Sequence, residues 1–169
     1  MVILSGLCYT PEYQDLVLAS GAVPHIAKAL GNMEGDAAEM SLTAMCGLLE
    51  VNSKIAVDSL ISAGLVDSLV QLLRYPKQEE VILEKATRSL QFIAREGRHT
   101  HPPLFLGGAI RTVLGLFPVN AASARAFGVA STAATSKDTL HNAITLLHTL
   151  MYNPTGRSEM LHYDIIPAL

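Results

Sequence analysis

The chain has 169 residues, half of them apolar, with charged residues at 16%, aromatic residues at 5% and no tryptophan. That length and apolar content suffice for one folded domain with a real core and exclude intrinsic disorder, while the abundance of Leu and Ala favours helix over strand. The net charge of −3 divides into −5 up to Pro76 and +2 beyond it, so neither part carries the basic field that nucleic acid binding requires.

No run of about 18 uninterrupted apolar residues occurs, and no membrane span is expected. The opening "MVILSGLCYTP" has no basic segment, and its apolar run is too short for a secretory signal, so a cytoplasmic or nuclear location is expected. Cys8 and Cys46 fit no zinc spacing and are expected to be reduced thiols packed between helices.

Taken in chain order, residues 1–9 read as the end of a long helix, with Met1 at the place that Ala44 takes later. Residues 10–52 form a unit: a short helix, a glycine turn within "LVLASGAVPHIAKAL", and a long helix over "DAAEMSLTAMCGLLEV". Residues 53–96 repeat the order. "KIAVDSLIS" stops at Ala63-Gly64, "LVDSLVQLL" places Leu65, Val66, Leu69, Val70, Leu72 and Leu73 on one stripe, and Pro76 breaks it. The long helix "EEVILEKATRSLQFIAREG" carries Glu79 and Glu80 at its start and Arg95 near its end, both favourable to the helix dipole, with Ile82, Leu83, Ala86, Leu90 and Ile93 as its buried face. Residues 97–153 hold a third unit, through "PLFLGGAIRTVLGLF" and "DTLHNAITLLHTLM", lengthened near 118–136 by an extra helix or ordered loop. Residues 154–169 begin a further one. The anchors Gly21, Gly64, Gly108 and Asp164 are 43, 44 and 56 residues apart, an array with one insertion.

Three unequal helices, a glycine between the first two and a period near 42 resemble the armadillo repeat family, and "SGAVPHIAKAL" is the best local match. The resemblance implies an all-α, right-handed α-solenoid of three-helix repeats; HEAT repeats are the alternative, usually without the short first helix and its glycine turn. Such arrays carry polar caps, and none is visible here, so both ends are expected to be covered by further repeats or another chain.

The resemblance also implies a concave groove lined by the third helices. There, peptide-binding members clamp an extended backbone with a recurrent asparagine and an aromatic one turn earlier. The asparagine places fall at Leu7, Glu50, Phe92 and Thr149, the earlier ones at Ile3, Cys46, Arg88 and Thr145, and none is asparagine or tryptophan. The groove would instead show Thr43, Glu50, Lys85, Arg88, Phe92, Asn142, Thr145 and Thr149. Phe92 flanked by Arg88 is the foremost anchor candidate, since aromatic and arginine side chains dominate interface energetics; the alternative is burial of Phe92 by the next repeat.

Catalytic candidates are sparse. "EGRHTHPP", residues 96–103, has two histidines but no third metal ligand beyond Glu96, and reads as a solvated loop between helices. His141 and His148 are seven apart on similar faces of a helix, where a surface place or edge packing is expected, and Cys8 has no nucleophile motif around it. "FLGGAI" follows a helix rather than a strand, with no Lys-Ser/Thr after it, so it is not a phosphate loop. The expectation is a non-enzymatic protein-interaction or scaffold module without cofactor or metal. The alternatives are a receptor for extended peptides in transport or chaperoning and, in a different class, an enzyme or its regulatory region.

Overall fold

The computed structural model describes residues 6–32, 34–50, 54–74, 78–117 and 135–163. These residues are helical, with no strand among them. After a helical stretch at 6–8 come α1 (Pro11–Ala19), α2 (Ala22–Ala29), continued by a 3-10 turn (Leu30–Asn32), and α3 (Gly35–Glu50). Next are α4 (Lys54–Ser62), α5 (Leu65–Arg74) and α6 (Glu80–Glu96), and then a 3-10 turn (Arg98–Thr100), α7 (His101–Leu106), α8 (Ala109–Leu114), α9 (Lys137–Met151) and α10 (Pro154–His162).

Short helices meet the next helix at glycine corners. Gly21, Gly64 and Gly108 take φ of 72°, 86° and 72°, left-handed values that a side chain at Cβ would penalise, so the chain reverses there without strain. Starts of short helices carry proline: Pro11, Pro102 and Pro154 sit in the first turn, where a missing N–H costs no hydrogen bond.

The long helices stand side by side, α6 between α3 and α9 and packed against both. Behind them, α5 packs against α2 with its 3-10 turn and against α8, while α10 closes on α8 and α9. One apolar core runs between the two rows. The α5 stripe of Leu65, Val66, Leu69, Val70, Leu72 and Leu73 is wholly buried, as are Ile82, Ala86, Leu90 and Ile93 of α6, while Leu83 is half-buried. Each fully buried leucine contributes about 2 kcal/mol by leaving water, and this row-to-row burial holds helices individually too short to persist alone. Cys8 and Cys46 are free and buried; burial raises the Cys8 thiol to about 11, out of reach of thiolate chemistry at neutral pH.

"EGRHTHPP" is not a solvated loop. Gly97 ends α6, Arg98–Thr100 is a 3-10 turn, and Thr100 and His101 are both buried. The Thr100 hydroxyl donates to the Ile93 carbonyl at 2.6 Å, and His101 Nε2 lies 3.2 Å from the Ala94 carbonyl. Of its two histidines, His99 remains at the surface, where its Nε2 is 3.2 Å from Asp58 Oδ1. A turn that ties one helix to the next must satisfy the carbonyls it buries, and Thr100 and His101 do so.

The insertion near 118–136 lies outside the described residues except for Thr135 and Ser136, and Asp164 with the rest of the terminal segment lies wholly outside them.

Candidate functional site

The three long helices create one broad face. On α6, Lys85 Nζ donates to Glu39 Oε1 at 2.9 Å and to Thr43 Oγ1 at 2.7 Å, both on α3. One turn further, Arg88 Nη2 donates to Glu50 Oε1 at 3.1 Å. The Arg88 guanidinium carbon also lies 5.4 Å from the centroid of the Phe92 ring, a cation–π distance set by the i, i+4 spacing on α6. Glu50, Arg88 and Phe92 therefore form a contiguous cluster across the α3–α6 seam. The Arg88 and Glu50 side chains are each 43% exposed, and Phe92 is half-buried, its lower edge against the core. Phe92 thus packs against the core and also carries the Arg88 cation over its ring.

Tyr9 belongs to this cluster and was not singled out from the sequence. Its ring lies across Gly47 of α3, so close that a Cβ there would stand 3.0 Å from Tyr9 Cδ2 and 3.1 Å from the Cys8 carbonyl carbon. Burial first, and then the neighbouring Cys46 thiol and Glu50 carboxylate, push the Tyr9 phenol above its ordinary value; Arg88 opposes them. Tyr9 remains 45% exposed, so a second aromatic ring is offered to solvent beside Glu50 and Arg88. The signal in the sequence was a glycine at a helical position facing the preceding helix end.

Thr145 and Thr149 lie on α9, which packs against α6. Their hydroxyls turn back onto their own helix, donating to the carbonyls of His141 at 2.9 Å and Thr145 at 2.8 Å. Asn142 is half-buried on the same helix. Of the expected strip, Lys85 meets Thr43, and Arg88 meets both Glu50 and Phe92, while Asn142, Thr145 and Thr149 stand on α9.

A second exposed stripe follows His141, Ile144, His148 and Met151 along α9, all of them at the surface, with Tyr152 beside them. On α6 the corresponding places, Thr87, Gln91 and Ala94, are buried, as Met45 and Leu49 are on α3. His148 and Tyr152 form an edge-to-face pair with centroids 5.1 Å apart. Among the described residues, no three His, Cys, Asp or Glu side chains are placed to hold a metal ion, and no single helix is long and apolar enough to cross a membrane.

No family model and no curated protein matches the sequence. Solved structures do match the fold. A computationally designed armadillo repeat protein for modular peptide recognition superposes with a TM-score of 0.77 at 17% identity, covering 95% of this chain and 61% of its own. A designed armadillo repeat protein, YIII(Dq.V1)4CPAF, in complex with the peptide (KR)4 gives 0.76 at 17% identity over 95% of this chain and 60% of its own. Another design, YIII(Dq)4CqI, gives 0.76 at 17% identity over 98% and 63%. The chain thus spans about three fifths of the length of these proteins. At such identity the shared property is the backbone, and that backbone is settled: the chain folds as an armadillo-type α-solenoid.

Proposed function

We propose that this chain is a non-enzymatic interaction module that receives a protein partner on the face formed by α3, α6 and α9. The observation that carries the reading is the half-exposed cluster of Glu50, Arg88 and Phe92 across the α3–α6 seam, with the exposed Tyr9 ring packed over Gly47 of the same α3. Aromatic and arginine side chains already held in place lose little entropy on binding, which is why they supply much of the energy at protein interfaces. The peptide carried by one of the structurally similar designs supports an elongated segment as the partner's contacting part. An asparagine ladder is missing at Leu7, Glu50, Phe92 and Thr149, so side chains of the partner, more than its backbone, would supply specificity. That argues against a general receptor for extended peptides.

Binders selected from a peptide display library against the isolated chain test this reading. Hydrogen exchange should then show protection on α3, α6 and α9. Phe92→Ala should weaken the selected binders by about 1 kcal/mol, roughly fivefold in Kd. Thr145→Arg, which places a bulky charge on α9, should weaken those that reach that helix. Protection confined to the α2, α5 and α8 row, with both variants binding as the wild type does, would overturn the proposal.

A further inference from the structure

A planar cation is held in a protein by two groups, an aromatic face for its plane and a carboxylate for its edge. Phe92 of α6 and Glu50 of α3 present that pair on two different helices, so their convergence is fixed by the α3–α6 packing rather than by either side chain. The cation between them is the chain's own Arg88, one turn before Phe92. We propose that Glu50 and Phe92 constitute a guanidinium-binding site occupied in cis by Arg88, so that the face accepts a partner's arginine only when Arg88 gives way.

The neighbouring cation shows what a purely structural role looks like. Lys85 is 24% exposed and fastened twice, by the Glu39 carboxylate and the Thr43 hydroxyl. Arg88, nearly twice as exposed, has one hydrogen bond from one of its nitrogens, and among the described residues Glu50 is its sole hydrogen-bonding partner. An exposed pair of this kind adds little to stability, so replacing its cation leaves the fold intact. Such a replacement does, however, leave the Glu50 carboxylate without this counter-charge and the Phe92 ring without its cation. Because Arg88 is tethered, it competes at an effective concentration in the millimolar range, and a free arginine side chain of ordinary weak affinity loses to it. The site is therefore self-occupied toward isolated arginines, and opens to a partner whose other contacts offset the exchange.

This inference rests on the proposed binding face, and its test separates the two. A twelve-residue alternating arginine–glycine peptide, with lysine–glycine and glutamate–glycine counterparts, is titrated against the chain by fluorescence anisotropy. The wild type should bind the arginine peptide weakly. Arg88→Ala should bind it on the order of tenfold more tightly, with a smaller gain for the lysine peptide, which lacks a plane to stack. The gain should vanish when Glu50→Gln or Phe92→Leu is added to Arg88→Ala. Arg95→Ala removes the same charge from an exposed position near the end of α6 and should give no gain. Absence of the gain in Arg88→Ala, its persistence with Glu50→Gln, or an equal gain in Arg95→Ala would each overturn the proposal. If display-selected binders still protect the long helices while the arginine peptide shows no gain, the binding face stands and the guanidinium site falls.

Discussion

Glu80, the first residue of α6, reaches beyond its own helix. Its Oε1 accepts from the Ser136 N–H at 2.9 Å and from the Thr139 hydroxyl at 2.7 Å, so the carboxylate of one long helix fastens the start of the next. Burial alone would raise this carboxyl, but the hydrogen bonds from Thr139 and Ser136 outweigh it, and its pKa lies below the ordinary value of 4.5. A depressed carboxyl adds stability that is fully present above the unfolded value and is lost as pH falls through the folded one. Glu80→Gln should therefore be less stable than the wild type at neutral pH, with the gap narrowing below pH 4.5 and closing once the wild-type carboxyl is protonated. Thermal melts at stepped pH measure this. Glu80→Ala, which strands both donors, should cost about 1–2 kcal/mol at pH 7. From the sequence Glu80 reads as a residue that answers its own helix dipole, and so it does. Its second role depends on Ser136 and Thr139, brought close by the fold across an insertion. His101 teaches the same lesson, since its burial depends on Asn153, whose side-chain nitrogen lies 3.5 Å from its Nδ1 and whose position no local pattern reveals.

At the scale of the element, local chemistry was far more legible. The stripes on α5 and α6, the glycine corners and the dipole-matched ends of α6 all follow from periodicity and backbone preference within 20 residues of chain, and the structure has them where these rules place them. Close approaches between elements were not legible. Gly156, in the first turn of α10, lies so near the end of α9 that a Cβ would fall on the Leu150 carbonyl oxygen, with the Phe105 ring 3.3 Å away. Gly156→Ala should destabilise the chain by about 1–3 kcal/mol, because the obstacle is backbone and has no rotamer to yield, despite alanine's better helix propensity. Denaturant unfolding checks it: a neutral or stabilising outcome would mean that α10 docks less tightly than the structure has it. Gly47 is the same device on α3, and it brings Tyr9 to the candidate site. Proximity of this kind is set by the distance between neighbouring helices, a quantity with no counterpart in the order of residues.

Across the whole molecule, contacts join neighbouring units, and stability is accordingly a sum of local terms and junction terms. α6 has a long helix on both sides, whereas α9 exposes Ile144 at 57% and Met151 at 45%. Native-state hydrogen exchange should thus show the greatest protection in α5 and α6, where buried residues are many, and the least in α1 and α10, where they are few. Uniform protection from α1 to α10 would instead mean that the array opens in a single step.

The fastenings also decide where such an array can be cut and rejoined. Gln14 of α1 donates to the carbonyls of Cys8 at 2.6 Å and of Gly47 at 3.1 Å. Thr100 and His101, at the start of α7, hold the carbonyls of Ile93 and Ala94, and Asn153, which caps α10 through the Thr155 N–H, reaches back to His101. α7 is thereby bonded to the long helix before it, while its link to α8 is a glycine corner. The transplantable module is consequently offset from the repeat seen in the sequence: it runs from one glycine corner to the next, carrying a long helix together with the short helix that seals its end. Grafts joined at Gly64 or Gly108 keep the Thr100 and His101 bonds to α6, whereas a joint at Gly21 parts Gln14 from Gly47, a joint at Gly108 parts His101 from Asn153, and a joint between α6 and α7 severs the bonds to Ile93 and Ala94.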